Sequence, residues 1–493
     1  MANKSFLLII IFFSGFLILM ESCQEEIIAT DSEIPLLFSL DTLRFDTVFT
    51  QAGSATRYFK IYNDLDETVI INSIGLEKTN SSLFRINVDG INLNEVEDVR
   101  IEPTDSIYVF VEVTIDPDNP LSISPFFIEE NINISVNNSN YKVLLEAWGQ
   151  NANYIPNRES AGRVSLLSCD FNTVTWDDPK PYVLYGVLVV DSCELVVPPG
   201  TEIYVHGGVA INELGVFNDG LFVFLENGTL KSRGTLEEPV IFKTDRLEEE
   251  FDEVQGQWTG IILSQGSTGN ELIHTTVENS IVGLSVDSAA TARIISSTFA
   301  FTSGSGLTAS QANIYAENSL FYQNGGAGLS LNFGGSYAFN YCTFANYNNQ
   351  DPALTANNLK CYDENCMVNK VLPLSASFTN CIFTGNDQDE ISLFDATDGS
   401  DPSFFNYSFK NCIVTVDELI DPEQFPNFFN NCENCLNVTR NDTLFLNLDE
   451  NIYSLDTMSV ALGQALPIQF VTDDILGVMR DQNTPDIGCY EFE

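Results

Sequence analysis

Residues 297–344 decide the fold of this chain, and they read STFAFTSGSGLTASQANIYAENSLFYQNGGAGLSLNFGGSYAFNYCTF. A tripeptide that ends in a bulky apolar residue recurs in this stretch and on both sides of it. Its apolar anchors are Val277, Phe299, Phe321, Phe344, Phe383 and Val414. The first three steps between anchors are 22, 22 and 23 residues, and the later steps of 39 and 31 residues leave room for loop insertions.

A second marker, Gly-Leu, keeps the same period at Gly283, Gly306 and Gly328. Two markers in step over several periods indicate an internal repeat. A period near 22 with β-branched residues and Gly/Asn punctuation is typical of one coil of a parallel β-helix. A leucine-rich repeat has a similar period, but its Leu-x-x-Leu-x-Leu frame is missing.

Stacked coils place equivalent residues above one another at about 4.8 Å, so the anchors are expected to form an internal stack. Small residues stand two positions before them, on the same strand face: Thr275, Ser297, Ser319, Cys342, Cys381 and Cys412. We interpret the three cysteines as a ladder of packed thiols, in preference to catalytic groups. Three positions before their anchors, Asn318, Asn380 and Asn411 are expected either to stack their amides along the axis or to stabilise turns.

Residues 33–154 read as a separate domain of about seven short strands. Segments such as 57–62 and 106–113 are rich in β-branched and aromatic residues, and Asn, Asp, Gly and Pro separate them. This pattern predicts an immunoglobulin-like β-sandwich. Residues 45–63 also resemble the opening of Ig-like modules in bacterial surface lipoproteins, which implies a stalk or adaptor.

The N-terminus has the layout of an export signal. A short basic region is followed by an apolar run over residues 6–20, which ends at Ser22-Cys23. Residues 1–22 resemble a bacterial lipoprotein signal peptide, although Glu21 departs from its pattern, and the resemblance implies lipidation of Cys23. The acidic tether at 23–32 resembles the tract that routes lipoproteins to the cell surface, so we expect a surface-exposed lipid anchor in the outer membrane. A plain secretory peptide and an uncleaved anchor remain alternatives.

Charge excludes several partners. The chain has 493 residues, with 69 Asp and Glu against 21 Lys and Arg, and its formal net charge is -48. Phosphate backbones need Lys and Arg to displace their counterions, so no nucleic acid is expected as a partner. The predicted leader contains one base and one acid, so its removal leaves the charge unchanged. Hydrophobic residues still make up 44%, which is enough for a large core.

The chain contains 11 cysteines, and ten remain after Cys23 is set aside. An even number in an exported protein permits disulfides. The close pairs are Cys361 with Cys366 and Cys432 with Cys435, which we expect to form disulfides. Free thiols and, for the second pair, half of a zinc or redox motif remain alternatives. A zinc site is disfavoured because neither His206 nor His274 lies nearby in sequence.

Earlier coils support the β-helix prediction. Four segments follow one another in a set order: VPPGT at 197–201, GTL at 228–230, EPVIF at 238–242 and GQWTGI at 256–261. This succession resembles the opening coils of bacterial right-handed parallel β-helix proteins of the pectin-lyase-like superfamily. Residues 486–491, DIGCYE, resemble an ending common in the same exported proteins. We therefore predict an all-β chain, with a linker at 155–164 and a right-handed parallel β-helix at 165–493.

The resemblance implies enzymes that are mostly polysaccharide lyases and glycoside hydrolases. Hydrolysis needs two carboxylates that flank the scissile bond, and elimination from a uronic acid needs a base and a group to neutralise the sugar carboxylate. The adjacent acids 177–178 and 473–474 do not qualify, because neighbours on a strand point to opposite faces. Arg293 within the repeat is interpreted as solvated or salt-bridged, and His206 and His274 as surface or turn residues.

The acidic insertion at 245–253 is a candidate for weak Ca²⁺ binding, but it lacks a spaced Asp-x-Asp-x-Asp-Gly frame and reads better as a solvated loop. No other cofactor and no catalytic residue are predicted. The preferred hypothesis is a surface-exposed outer-membrane lipoprotein whose β-helix is a non-catalytic binding or structural scaffold, with glycans as one candidate ligand. A carbohydrate-active enzyme of the pectin-lyase-like group is one alternative, and an adhesin or envelope structural protein is the other.

Overall fold

The computed structural model of the protein describes residues 27–49, 54, 56–79, 81–115, 126–155, 164–169, 172–212, 215–347, 349–420 and 428–492. These residues form strands and turns, with short 3-10 segments at Glu249–Phe251, Glu418–Ile420 and Phe429–Asn431. The predicted all-β class is confirmed. Within the described ranges no helix is long and apolar enough to cross a membrane. The chain divides into two compact units between Gln150 and Asn151.

The first unit contains two β-sheets that share one apolar core. The five-stranded sheet has the order Thr42–Phe49, Ser139–Gln150, Phe126–Val136, Val69–Leu76, Glu95–Ile101. The four-stranded sheet has the order Leu37–Phe38, Arg57–Tyr62, Ser106–Val113, Phe84–Val88. Phe59 and Val109 of the smaller sheet and Ile74 and Leu145 of the larger one are fully buried in the shared core. The unit is therefore a two-sheet sandwich, and its immunoglobulin-like assignment stays a prediction.

The second unit is a parallel β-helix, in which each of the first nine coils contributes one strand to each of three parallel sheets. Sheet A contains Asn153–Ile155, Tyr182–Leu184, Glu202–Val205, Val240–Thr244, Thr275–Glu278, Thr298–Ala300, Leu320–Tyr322, Thr343–Asn346, Ile382–Gly385, Ile413–Val414 and Leu436–Asn437. Sheet B contains Val164–Leu167, Val187–Val190, Leu221–Phe224, Trp258–Leu263, Ser280–Val286, Leu307–Ser310, Leu329–Asn332, Leu354–Asn357 and Ile391–Phe394. Sheet C contains Thr173–Thr175, Cys193–Val197, Gly228–Arg233, Asn270–Ile273, Thr291–Ile295, Asn313–Glu317, Gly335–Asn340, Leu374–Thr379, Phe405–Lys410 and Cys432–Glu433.

Three antiparallel hairpins interrupt or follow the coils. Their strands are Val209–Asn212 with Gly215–Asn218, Leu359–Cys361 with Asn369–Val371, and Phe445–Asn447 with Ile452–Leu455. The second hairpin accounts for much of the 39-residue step, and both long steps carry their extra residues between sheets B and C.

The boundaries differ from the predicted ones at two places. Ile28 forms a bridge with Thr68, so the end of the predicted tether at 23–32 pairs with the sandwich. The strand Asn153–Ile155 pairs with Tyr182–Leu184, so the β-helix begins before residue 165 and includes the start of the predicted linker at 155–164. The predicted leader and Cys23 lie outside the described residues.

The predicted internal stack is present. Strand pairing aligns the anchors of successive coils directly, from Val277 through Phe299, Phe321, Phe344 and Phe383 to Val414. The four rings are nearly parallel, with centroids 5.0, 4.7 and 5.0 Å apart. Offset stacking of this kind adds about 0.5–1.5 kcal/mol per pair to the burial of the rings.

Small residues beside the stack also follow the prediction. The backbone N–H of Thr275 donates to Ser297 Oγ at 3.1 Å, and that of Ser297 donates to Ser319 Oγ at 3.2 Å. The N–H of Cys381 approaches Cys412 Sγ at 3.5 Å in the same way. Burial raises the pKa of the Cys381 thiol well above its ordinary value, which keeps it protonated. Cys342, Cys381 and Cys412 are buried free thiols, as interpreted.

The asparagines of the repeat do not stack on one another. Asn318, Asn380 and Asn411 occupy the turn before sheet A with φ of 48°, 58° and 49°, a left-handed conformation that Asn tolerates well. Their Nδ2 groups donate to backbone oxygens of the C-terminal segment, at 2.7, 2.8 and 2.8 Å. The turn alternative is therefore observed, and the axial amide stack is wrong because those amides bind another part of the chain.

Residues 438–492 cover the outer face of sheet A over its last coils. Leu320, Ile382 and Ile413 point outward from that sheet and pack in one cluster with Val471 and Ile487. This cluster is separate from the interior core of the coils. The C-terminal segment is therefore a structural cover of sheet A.

Three disulfides join described residues. Cys361–Cys366 and Cys432–Cys435 are the two predicted pairs. The third, Cys169–Cys193, joins two successive coils near the start of the β-helix, with Cα atoms 5.1 Å apart. Its separation of 24 residues is close to one coil, which is why a search for closely spaced cysteines misses it.

Candidate functional site

Sheet B differs from the rest of the protein in charge. None of its nine described strands contains an Asp, Glu, Lys or Arg, although the chain carries 69 acidic residues. Sheet A contains Glu202, Lys243 and Glu278, and sheet C contains eight charged residues. The outer side of sheet B is therefore an uncharged surface that runs along the axis of an acidic protein.

The outward side chains of sheet B form aligned columns. The central column is apolar in the first four coils and bears hydroxyls in the last five: Leu166, Val189, Val223, Ile262, Ser285, Thr308, Ser330, Thr355 and Ser392. Thr355 Oγ1 donates to Ser330 Oγ at 3.0 Å, and Asn357 Nδ2 donates to Asn332 Oδ1 at 2.9 Å in the next column. We call the last five coils of this surface the hydroxyl ladder.

A cavity of about 370 Å³ lies where the turns from sheet A to sheet B carry insertions. Seven of its lining residues have polar side-chain atoms that could meet a ligand: His206, Asp219, Thr244, Asp245, Arg246, Gln257 and Trp258. Gly207 also lines it, and a Cβ there would overlap the backbone oxygen of Gln257. The close approach of the two backbones therefore requires glycine.

The polar side chains of the cavity bond within the protein. His206 Nδ1 lies 2.7 Å from Asp245 Oδ2, and the histidine ring packs on Tyr185 with centroids 4.6 Å apart. Asp219 accepts a hydrogen bond from the Gly220 N–H at 3.0 Å. His206 is thus a turn residue in an ion-pair geometry, which the sequence did not reveal because Asp245 is 39 residues away.

The remaining cavity groups are engaged in the same way. Arg246 Nε donates to Glu248 Oε2 at 3.1 Å, and its guanidinium lies 3.7 Å from the centroid of Phe251. Gln257 Nε2 donates to the backbone oxygen of Phe251 at 3.1 Å, and Trp258 Nε1 to that of Glu278 at 2.7 Å. These contacts order the wall of the cavity.

The acidic insertion does not gather its carboxylates. Asp245 faces His206, Glu248 faces Arg246, and Glu253 accepts from Asn451 Nδ2 at 2.9 Å. Across the described residues no group of three or more His, Cys, Asp or Glu is placed to hold a metal ion. Three of the acidic side chains in the candidate Ca²⁺ site, those of Asp245, Glu248 and Glu253, are therefore directed to separate partners.

The adjacent acid pairs act in turns. Asp178 Oδ1 accepts the Lys180 N–H at 2.9 Å, and this bond lowers the pKa of Asp178. Asp474 is buried and accepts three backbone N–H groups, while Asp473 beside it is exposed. Burial raises the pKa of Asp474. Both pairs lie outside the strands, so the expectation that their side chains point to opposite faces of a strand does not apply to them.

Arg293 lies on the outer face of sheet C and pairs with Glu317 at 3.9 Å, in agreement with its interpretation as salt-bridged. Lys231 and Arg233 nearby bind Glu271 at 3.0 and 2.7 Å. Burial opposes ionisation of Glu271, but these two hydrogen bonds hold its pKa below the ordinary value.

His274 immediately precedes the sheet A strand Thr275–Glu278, and Glu278 is the last residue of that strand. His274 has φ of 42° in the turn, and burial lowers the pKa of its imidazole. Glu278 points outward from sheet A, and burial raises the pKa of its carboxyl. Sequence reasoning missed Glu278, since a single Glu on a strand carries no motif.

No protein-family model matches the sequence, and no curated protein does. Among solved structures, a pectate lyase, Pel9A, is similar at 13% identity over 70% of this chain and 88% of that chain, with a TM-score of 0.34. A GH87 α-1,3-glucanase from Streptomyces thermodiastaticus strain HF3-3 is 8% identical over 72% of both chains, with a TM-score of 0.26. A family 123 glycoside hydrolase from Clostridium perfringens is 9% identical, and the alignment spans 26% of that chain and 23% of this one, with a TM-score of 0.17. Similarity this low supports no inference about the activity of this protein.

Proposed function

We propose that the protein is a surface-exposed lipoprotein of the outer membrane whose β-helix binds an uncharged polysaccharide and does not cleave it. The observation that carries this proposal is the uncharged sheet B with its hydroxyl ladder. Hydroxyl and amide side chains both donate and accept, as the hydroxyls of a neutral glycan do. An anionic polymer would be repelled by the net charge of -48.

The absence of cleavage follows from the chemistry of the ladder. Glycosidic bonds are broken with the help of positioned acids and bases, and the nine described strands of sheet B contain no Asp, Glu, Lys or Arg. Adjacent coils repeat the same hydroxyl at about 4.8 Å, so a glycan laid across them meets similar groups in succession. Binding of this kind displays or retains a polymer at the cell surface.

Charge placed on the ladder tests the proposal. The variant Ser330→Asp/Thr355→Asp adds two charges to sheet B, and Ser375→Asp/Ser377→Asp adds two to the exposed face of sheet C. On a glycan array, the first variant is expected to bind neutral glycans more weakly than the second, with circular dichroism confirming that both are folded. Equal binding by the two variants would contradict the assignment to sheet B.

The cavity supports a second candidate, a carbohydrate-active enzyme of the pectin-lyase-like group. The specific observation is that two carboxylates, Asp219 and Asp245, line one cavity together with His206. This candidate predicts release of reducing ends or unsaturated products from a polysaccharide, and loss of that turnover in Asp245→Asn. Turnover by the purified protein would overturn the non-catalytic proposal.

The lipid anchor is tested separately. Labelling of cells with a radioactive fatty acid is expected to mark the wild-type protein and not the Cys23→Ser variant. Protease added to intact cells should degrade the protein if it is displayed on the outer surface. A labelled variant would show that Cys23 is not the lipidated residue.

A further inference from the structure

The exposed side of the four-stranded sheet in the first unit carries three clustered aromatic rings. Tyr58, Tyr108 and Phe110 expose 52%, 38% and 37% of their surface. Their centroids are 5.3 to 5.8 Å apart, and the planes of Tyr108 and Phe110 differ by 11°. Exposed apolar patches on soluble domains commonly mark binding sites. We call this cluster the aromatic face.

The strands hold these rings in place. Tyr58 lies directly opposite Phe110, and Lys60 lies opposite Tyr108, in an antiparallel pair of central strands. Lys60 Nζ is 4.4 Å from the centroid of the Tyr108 ring. Val109, between the two rings in sequence, is fully buried in the core. Rings fixed by buried strands lose little conformational entropy when a ligand lies on them.

A pocket of about 350 Å³ adjoins the aromatic face, and Phe110 lines both. Arg85, Asn87 and Glu112 contribute donors and acceptors to it. Arg85 Nη1 lies 3.7 Å from Glu112 Oε1, so the two charges offset each other locally. The combination is a flat apolar platform with a nearly neutral hydrogen-bonding edge.

We infer that the aromatic face and this pocket together form a second binding site, for a neutral polysaccharide. The C–H groups on one face of a pyranose ring carry partial positive charge and pack on the negative face of an aromatic ring. The hydroxyls at the edge of the sugar then meet Arg85, Asn87 and Glu112. A second copy of the chain is a poor occupant, because two molecules of charge -48 repel each other.

This site is independent of the one proposed on sheet B, because it lies in the other compact unit and uses stacking in place of hydroxyl ladders. It gives the sandwich a role beyond that of a stalk. Variants of the two sites in the same full-length background therefore report on the two proposals separately.

Affinity gel electrophoresis of the purified protein tests the inference, with laminarin, xyloglucan or galactomannan as neutral probes and polygalacturonate as the anionic probe. The variant Tyr108→Ala/Phe110→Ala, made in the Ser330→Asp/Thr355→Asp background so that sheet B does not contribute, is expected to weaken binding to a neutral probe by about tenfold or more, since two stacking contacts are lost. The buried residue between the two rings, Val109, is unchanged, so the variant should remain folded, which circular dichroism checks.

Phe127→Ala/Trp148→Ala is the matched control. These two rings pack together at 5.2 Å on the other sheet and expose 46% and 48% of their surface. The control, built in the same background, is expected to keep the binding that Tyr108 and Phe110 provide. The inference is overturned if no neutral probe retards the wild type, if the control weakens binding equally, or if polygalacturonate binds best. It is also overturned if the Tyr108/Phe110 variant loses self-association in place of glycan binding.

Discussion

Substitution of Arg480 is expected to release the C-terminal segment from sheet A. The guanidinium is buried and lies 3.2 Å from Glu491 Oε2, and it donates to Asn318 Oδ1 at 2.9 Å and to the Gly488 oxygen at 3.0 Å. Its plane also lies over Tyr341, 3.8 Å from the ring centroid. Arg480 therefore ties three parts of the cover to a turn of the β-helix.

The magnitude follows from burial. Both partners of the Arg480–Glu491 pair are nearly inaccessible, with side-chain exposures of 3% and 6%. Removal of one partner from a buried pair costs about 3–5 kcal/mol, because the other charge is left uncompensated. Exposed pairs contribute about 0–1 kcal/mol, and Arg100–Glu102 is such a pair, with exposures of 43% and 55%. Arg480→Met and Arg100→Met thus form a matched comparison.

Hydrogen exchange with mass spectrometry measures the outcome locally. In Arg480→Met, protection of residues 438–492 is expected to fall by about two to three and a half orders of magnitude, since each factor of ten corresponds to about 1.4 kcal/mol. The central coils are expected to keep their protection. Arg100→Met should leave both unchanged.

The effect of Arg480→Met also depends on pH. Burial raises the pKa of Glu491, so the folded state favours the protonated form of this carboxyl. The loss of stability in Arg480→Met is therefore expected to grow as the pH rises through that pKa and Glu491 ionises. Equal protection in the Arg480→Met and Arg100→Met variants, or a larger loss at pH 5 than at pH 8, would refute the reasoning.

Three further predictions concern stability. Phe321→Ala, in the middle of the ring stack, should lower the free energy of unfolding by about 3–5 kcal/mol in urea titrations, whereas Phe394→Ala at an exposed site should change it by less than about 0.5 kcal/mol. Burial raises the pKa of Glu390 to about 7, so the stability provided by its protonation is lost as the pH rises from about 4.5 to about 7. The midpoint of urea unfolding should therefore fall over this pH range in the wild type, and Glu390→Gln should make the midpoint less dependent on pH. Gly488→Ala should destabilise the cover more than Gly90→Ala destabilises the sandwich. Both glycines have positive φ, but a Cβ at Gly488 would lie 2.6 Å from Ile382 Cδ1, whereas a Cβ at Gly90 would meet nothing within 4 Å. Faster proteolysis of the cover in Gly488→Ala would report this destabilisation.

The repeat made the β-helix predictable in detail. Because every coil must bury the same position, Phe299, Phe321 and Phe344 recur at a fixed step, and the structure stacks them as expected. The strands Arg57–Tyr62 and Ser106–Val113 were predicted to the residue for a similar reason, since a half-buried strand alternates apolar and polar side chains.

The candidate sites were less predictable. His206 gained its partner Asp245 only through the stacking of two coils, and the aromatic face required the antiparallel register that sets Tyr58 opposite Phe110. The hydroxyl ladder consists of single Ser and Thr residues, which have no motif in the sequence. These features depend on which residues of different strands become neighbours.

The all-β class, the coil period and the inward stack were predictable because each recurs along the chain as a local pattern of burial. The surroundings of the coils depend instead on contacts that form when the chain folds. Arg480 meets Asn318 across 162 residues, and the uncharged side of sheet B becomes visible only when nine strands are aligned. Contacts between distant, non-repeated positions leave no periodic trace, so the surface had to be read from the folded chain.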